Sequence, residues 1–297
     1  MKIINGYIKG LLDATLRPKM VMILWLVNFL FAGLIYFLFS AAFGSVFGSS
    51  LMLRDLIKKM DMNVVIEFLT SSGVALGEIM AAIMILAFLY GLASIFLNGG
   101  ILNVLLERNA GESHAKAFFA GSGAFFGRFL RLAIYSILLW LPALAGFIIV
   151  DGLLGLLTRN PVHEQLGFYM TLFRLVLVLF LAYLIKMILD YARIGIVAKD
   201  SRKVFRELLA SIKFVWSRPA KTLILYYGLG LTGWAVFLVY RWLAGSFAQE
   251  SWIGIFLGFL LAQIFIASRG WLKIAYFAAQ ARCAGLSEIR RGPAPAA

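Results

Sequence analysis

Long apolar runs separated by short polar segments dominate the pattern along this chain. Six of them can cross a membrane, since a hydrocarbon core of about 30 Å requires about 20 apolar residues in a helix. They cover 21–42, 79–106, 132–150, 169–198, 222–240 and 252–281. Transmembrane β-strands are shorter and alternate polar with apolar residues, so these runs predict helices. We therefore predict an all-α, polytopic membrane helix bundle, with six transmembrane helices in three hairpins.

A shorter amphipathic segment precedes the first, third and fifth runs. Apolar and charged residues recur at helical spacing in three such segments, at 2–16, 116–130 and 203–217. They end at Arg17-Pro18, Arg131-Leu132 and Arg218-Pro219. Proline suits the first turn of a new helix, where the chain changes direction. The pattern predicts three cytoplasmic interfacial helices that lie on the membrane.

These elements suggest an internal threefold repeat. The second, fourth and sixth runs each carry a short polar cluster near their ends and then become apolar again. We expect a single membrane domain over 1–297, with repeat-like units 1–110, 111–200 and 201–285 and a flexible tail, 286–297. The segment 51–69 has a further apolar stripe and predicts a helix on the outer side.

The distribution of basic residues predicts the orientation. Segments on the side of the N-terminus carry 18 Lys and Arg residues, against 5 in the segments on the other side. Positive residues favour the cytoplasmic side of a membrane protein. We expect a multi-pass protein of the bacterial inner membrane with both termini in the cytoplasm.

The composition excludes an ordinary soluble domain. The chain is 62% hydrophobic and only 14% charged, with a mean hydropathy of +0.92. The net charge of +14 would suggest nucleic acid in a soluble protein, but here it indicates contact with anionic lipid headgroups and no nucleic acid. The single cysteine, Cys283, and two separate histidines, His114 and His163, argue against a metal site. We expect no cofactor.

Polar residues inside the apolar runs are the candidate ligand-binding residues, because a charge in the centre of a membrane is costly. They are Asn98, Asn103, Lys186, Asp190, Arg193, Arg269 and Lys273. One interpretation is that the long basic side chains reach the cytoplasmic edge and Asp190 pairs locally. The other is a cytoplasm-facing cavity between the returning helices that binds an anionic headgroup. Asn28 is expected to form a hydrogen bond between helices.

The sequence contains none of the common catalytic motifs, including the zinc-protease helix, the nucleophile elbow and the phosphate-binding loop. We therefore expect no enzymatic activity.

The layout resembles a group of six-helix bacterial inner-membrane proteins, which includes YciC-like proteins and the membrane domain of some glycerophosphodiester phosphodiesterases. The resemblance rests on Leu97-Asn98-Gly99-Gly100, on Phe118 to Arg131, and on Asp190 to Asp200 followed by 203–217 and Arg218-Pro219. It implies a six-helix membrane protein of a kind that mostly lacks an assigned activity.

Two functions follow from these features. The first is a non-enzymatic, lipid-contacting scaffold or accessory subunit that binds anionic headgroups and other membrane protein subunits. The alternative is a transporter or lipid-handling permease with a basic cavity facing the cytoplasm.

Overall fold

The computed structural model describes residues 2–47, 73–106, 114–157, 164–247 and 251–286, and all regular structure in these ranges is α-helical. The helices are α1 (Lys2–Thr15), α2 (Pro18–Phe47), α3 (Gly73–Leu106), α4 (His114–Leu157), α5 (Glu164–Ala198), α6 (Val204–Ser217), α7 (Pro219–Gly245) and α8 (Trp252–Cys283). Within the described part of the chain, six are long and apolar enough to cross a membrane: α2, α3, α4, α5, α7 and α8. For the described residues, the prediction of an all-α chain with six helices long and apolar enough to cross a membrane is confirmed, whereas their arrangement in three hairpins stays a prediction. The helix predicted at 51–69 lies outside the described residues.

Two of the three predicted breaks between an amphipathic segment and a span are present. Pro18 and Pro219 each begin a new helix, where the missing backbone N–H has no helical partner to lose. The third predicted break, at Arg131-Leu132, is wrong, because α4 continues through both residues. Neither residue is a proline, so the helical hydrogen bonds across this point remain intact.

The length of α4 shows that part of it extends beyond any hydrocarbon layer. Its 44 residues would measure about 66 Å at 1.5 Å per residue, against about 30 Å for the membrane core. The uncharged stretch 132–150 is enough to cross that core. The first part of α4, 114–131, is therefore available for packing at the membrane surface.

The described residues divide into two compact units, of which the smaller is Met22–Ser94. Here Asn28 links α2 to α3, since the Tyr90 hydroxyl donates a hydrogen bond to Asn28 Oδ1 at 2.8 Å. The ring of Phe31 packs on Tyr90 with centroids 5.3 Å apart. The interhelical hydrogen bond expected at Asn28 is thus present.

The larger unit comprises Met1–Val21 and Ile95–Ala297. Its buried side chains gather at one end of the long helices. They lie mainly within 97–106, 118–132, 185–198, 204–215, 222–229 and 274–281. In contrast, large apolar side chains farther along α4, α5, α7 and α8 are exposed, as expected for helix surfaces that face lipid.

Helix α1 packs against α8 and α7, although about 270 residues of sequence separate it from the end of α8. At the contact with α8, a Cβ placed on Gly10 would lie 2.7 Å from the Cβ of Ala279. Arg282 donates hydrogen bonds to Asp13 Oδ2 from Nε at 2.9 Å and from Nη2 at 2.5 Å. The close backbones and the ion pair together fix α1 on the last helix.

The start of α4 and all of α6 form comparable contacts with the ends of other long helices. The backbone of α4 at Gly121 approaches Asn103 near the end of α3. Helix α6 packs on α5, where the Lys199 ammonium donates a hydrogen bond to Glu207 Oε2 at 2.8 Å. These contacts build a core from helix ends and from the segments that precede the spans.

Candidate functional site at the contact of α5 with α7 and α8

The centre of the site is Asp190, a buried carboxylate on α5. Arg193, one helical turn later, donates a hydrogen bond from Nη1 to Asp190 Oδ1 at 2.6 Å. The hydroxyl of Tyr226 on α7 donates to the other oxygen, Oδ2, at 3.5 Å. Both carboxylate oxygens are therefore engaged, as a buried charge requires.

Basic groups outnumber the acid at this site. Lys273 on α8 is partly buried and lies within electrostatic range of Asp190, Arg193 and Lys186. The formal charge of these four side chains is +2, because one carboxylate faces three cations. Positive charge in excess of this kind attracts an anion.

Lys186 lies at the exposed edge of this group. Its Nζ is 5.9 Å from the ring centre of Tyr183 and 5.7 Å from that of Tyr276. Two aromatic faces attract a cation without neutralising it. Among the described residues, no carboxylate forms an ion pair with Lys186. Its ammonium is therefore held in position by aromatic faces rather than by a carboxylate.

Tyrosines form the wall behind the cations. Tyr226 is fully buried, and its ring packs against Tyr276 at 4.8 Å and Tyr183 at 6.0 Å. Gly230 leaves room for this wall, since a Cβ there would lie 3.2 Å from the Tyr276 hydroxyl. We refer to Lys186, Asp190, Arg193 and Lys273, with these three tyrosines, as the Asp190 cluster.

The three tyrosines are not among the residues predicted from the sequence. Tyr183 precedes Lys186 by three residues and Tyr276 follows Lys273 by three, a spacing that puts each pair on one helix face. That spacing is the signal that could have identified them.

The remaining candidate residues lie in different surroundings. Arg269 on α8 is exposed, and no described residue pairs with it. Asn103 lies at the contact between α3 and α4, where its Nδ2 donates to the Ala117 carbonyl at 3.0 Å. Asn98 is buried, and its Oδ1 has no hydrogen-bond partner among the described residues.

A second buried amide, which sequence reasoning missed, lies farther along α8. Gln280 is completely buried, and neither its Oε1 nor its Nε2 has a partner within the described part of the chain. It follows Lys273 by seven residues and therefore lies on the same face of α8.

The end of α5 is fixed by an ionic contact with α4. Asp200 accepts a hydrogen bond from Arg128 Nη1 at 2.5 Å and adopts a left-handed backbone with φ of 48°. The Ser201 N–H bonds the Ile196 carbonyl and the Asp200 N–H bonds that of Val197, which is the Schellman pattern of a helix end.

The chemistry available at the Asp190 cluster is electrostatic. Across the described ranges, no three His, Cys, Asp or Glu side chains come together in a way that could hold a metal ion. What the arrangement offers is a set of fixed cations and aromatic faces beside one buried carboxylate, which suits the binding of an anion.

Comparison with known proteins does not assign a function to the Asp190 cluster. No family model, no curated protein and no solved structure matches the chain significantly. The resemblance to YciC-like proteins stays a prediction.

Proposed function

We propose that this chain is a multi-pass protein of the bacterial inner membrane that binds the anionic headgroup of a phospholipid at the Asp190 cluster. In this proposal it acts without catalysis, as a lipid-contacting scaffold or as an accessory subunit of a membrane assembly. Both termini lie in the cytoplasm, on the side that carries most of the basic loop residues.

The observation that carries the proposal is the charge of the cluster. Asp190 can neutralise one of the three cations, and it is already engaged by Arg193 and Tyr226. The exposed ammonium of Lys186 is held against two tyrosine rings and keeps its donors available. The phosphodiester of a phospholipid carries one negative charge and would offset one of the two positive charges in excess.

The position of the cations along the helices supports a headgroup as the ligand. Lys186 directly follows the uncharged run 175–185, and Arg269 directly follows the uncharged run 252–268. The run before Arg269 is about 26 Å long and brings Arg269 close to the lipid phosphates, whereas the run before Lys186 is only about 16 Å long, so the Lys186 ammonium must extend toward them. The two interpretations of the sequence are therefore compatible. Basic side chains that reach toward the membrane edge can also line a polar site that binds a headgroup.

Native mass spectrometry of the detergent-solubilised protein tests the proposal directly. We expect retention of phosphatidylglycerol in preference to phosphatidylcholine, and about fivefold weaker retention in the Lys186→Gln variant, since one cation near an anionic lipid contributes about 1 kcal/mol. Arg241→Gln is the control, because it removes an exposed cation from the other end of α7. An unchanged melting temperature in both variants shows that the fold is retained.

Two further outcomes are decisive. If inorganic phosphate displaces the lipid at equal concentration, the ligand is a free phosphate group and the headgroup assignment is wrong. If Lys186→Gln and Arg241→Gln weaken retention equally, the Asp190 cluster is not the site. The accessory-subunit role predicts a recurrent neighbour when the native membrane is crosslinked, and a solitary chain argues against it.

A further inference from the structure

Helix α6 exposes an apolar stripe although its opposite side is already packed on the protein. The stripe consists of Phe205, Leu209 and Trp216, which are 47%, 51% and 77% exposed. The packed side, which we call the buried face, carries Val204, Glu207, Leu208, Ser211 and Val215. Phe205 also packs edge-on against Tyr135 of α4 with ring centroids 5.6 Å apart, but Leu209 and Trp216 continue the stripe as an exposed apolar patch, which is typical of an interaction surface.

Basic residues form a third sector of the same helix. At about 100° per residue, Arg206 and Lys213 lie roughly 80° and roughly 60° around the helix from the centre of the apolar stripe, on the side away from the buried face. Arg202, Lys203, Arg218 and Lys221 flank the helix and are also exposed. The only acid between 202 and 221 is Glu207, which is buried and paired with Lys199. All exposed charges in 202–221 are therefore positive.

The order of the three sectors suits one environment. A helix lying in the plane of a membrane interface has protein on one side, hydrocarbon beneath it and headgroups above. Going around α6, the apolar stripe lies between the buried face and the basic sector. Hydrocarbon contact for Trp216 therefore brings Arg206 and Lys213 to the level of the lipid phosphates.

Helix α1 has the same arrangement in the same sense around its axis. Gly10 and Ala14 are buried, whereas Ile4, Ile8 and Leu12 are 64%, 48% and 54% exposed. Lys9 is exposed and follows Ile8 by one position, which is about 100° around the helix. Two helices far apart in sequence thus share one pattern.

We propose that α6 forms a second lipid-binding surface, with Phe205, Leu209 and Trp216 inserted in the leaflet and the basic sector bound to anionic phospholipid. The occupant is an anionic lipid surface, because exposed cations without exposed acids complement negative headgroups. This surface requires the membrane location, but it does not rest on ligand binding at the Asp190 cluster. The two proposals can therefore fail separately.

Adjacent cysteines on α6 provide the test, in a Cys283→Ser background. Leu209→Cys lies in the apolar stripe, and Ala210→Cys lies beyond the basic sector, yet both positions are exposed in the protein itself. In purified proteoliposomes, we expect an impermeant thiol reagent applied to the exposed face to label position 209 roughly tenfold more slowly than position 210. A fluorophore attached at 209 should also be quenched by a spin label near the lipid headgroups.

The basic sector is tested with the same fluorophore in two vesicle compositions. We expect a blue shift at position 209 when phosphatidylglycerol replaces part of the phosphatidylcholine, and loss of that shift in the Arg206→Gln, Lys213→Gln double variant. Equal labelling at 209 and 210 would overturn the proposal. Protection at 209 in native membranes that disappears in purified proteoliposomes would also overturn it, because a protein partner would then cover the stripe. Retention of the shift in the double variant excludes binding of anionic headgroups by these two residues.

Discussion

Gly121 on α4 lies directly against the side chain of Asn103 on α3, so that a Cβ on the glycine would overlap the Cβ of the asparagine. The same asparagine donates a hydrogen bond from Nδ2 to the Ala117 carbonyl, one turn earlier on α4. Because Gly121 has no side chain, α3 and α4 approach closely at this point. The close approach brings the Asn103 amide within hydrogen-bonding distance of the Ala117 carbonyl.

Substitution of Gly121 by Ala is expected to destabilise the protein. Alanine has a helix propensity up to about 1 kcal/mol more favourable than that of glycine. Its methyl group would, however, overlap the Cβ of Asn103, which a change of side-chain rotamer does not move. Overpacking of this kind costs typically 1–3 kcal/mol and would also break the hydrogen bond of Asn103. The measurement is the melting temperature of the purified protein in mild detergent, which should fall.

Gly123 provides the matched control on the same helix. A Cβ there has no atom within 4 Å, so Gly123→Ala should raise the melting temperature slightly or leave it unchanged. A similar change in both variants would show that the contact between α3 and α4 is looser than the structure indicates.

Removal of the charge of Asp190 is expected to be severe. Asp190→Asn keeps the size of the side chain but leaves Arg193 and Lys273 without the buried anion. Breaking a buried pair on one side costs about 3–5 kcal/mol. Expression level and the midpoint of denaturant unfolding should both fall.

Asp200→Asn is the control for the removal of one carboxylate charge. Asp200 pairs with Arg128 and has a left-handed backbone. Asparagine tolerates that backbone, and the Asp200 side chain is 65% exposed, so its ion pair contributes at most about 1 kcal/mol. Equal losses in the two variants would argue against an uncompensated charge at Asp190.

The contact of α1 with α8 depends on Gly10. A Cβ there would lie 2.7 Å from Ala279 Cβ and 3.0 Å from the Ala279 backbone, so we expect Gly10→Ala to weaken the docking of α1. Limited proteolysis, with a label on α1, should show faster release of this helix. Gly6→Ala meets no atom within 4 Å and should leave the cleavage rate unchanged. Equal rates in both variants would show that the contact at Ala279 does not hold α1.

The orientation of the chain is tested by cysteine labelling in spheroplasts. In a Cys283→Ser background, Ser246→Cys should react with an impermeant thiol reagent, and Arg202→Cys should react only after the membrane is opened. Both positions are exposed in the protein, so a difference in reactivity reports the side of the membrane. Labelling of residue 202 in closed spheroplasts would reverse the proposed topology.

The six long helices could be predicted from the sequence because a membrane demands a minimum apolar length, which one chain shows by itself. The continuity of α4 through Arg131 could not, since a basic residue before an apolar run permits either a bend or a straight helix. The candidate charges Asp190, Arg193 and Lys273 lie within electrostatic range of one another. The position of Tyr226 could not be predicted, because it depends on the angle at which α7 packs against α5 and α8.

The docking of α1 on α8 has a consequence for the synthesis of the protein. Gly10 and Asp13 leave the ribosome early, but Ala279 and Arg282 follow only after some 270 further residues. Until then α1 lacks its main partner, and its smaller contact with α7 leaves most of its packed side uncovered. A chain interrupted before α8 therefore differs from the finished protein at its opposite end as well, where the uncovered apolar surface of α1 favours aggregation.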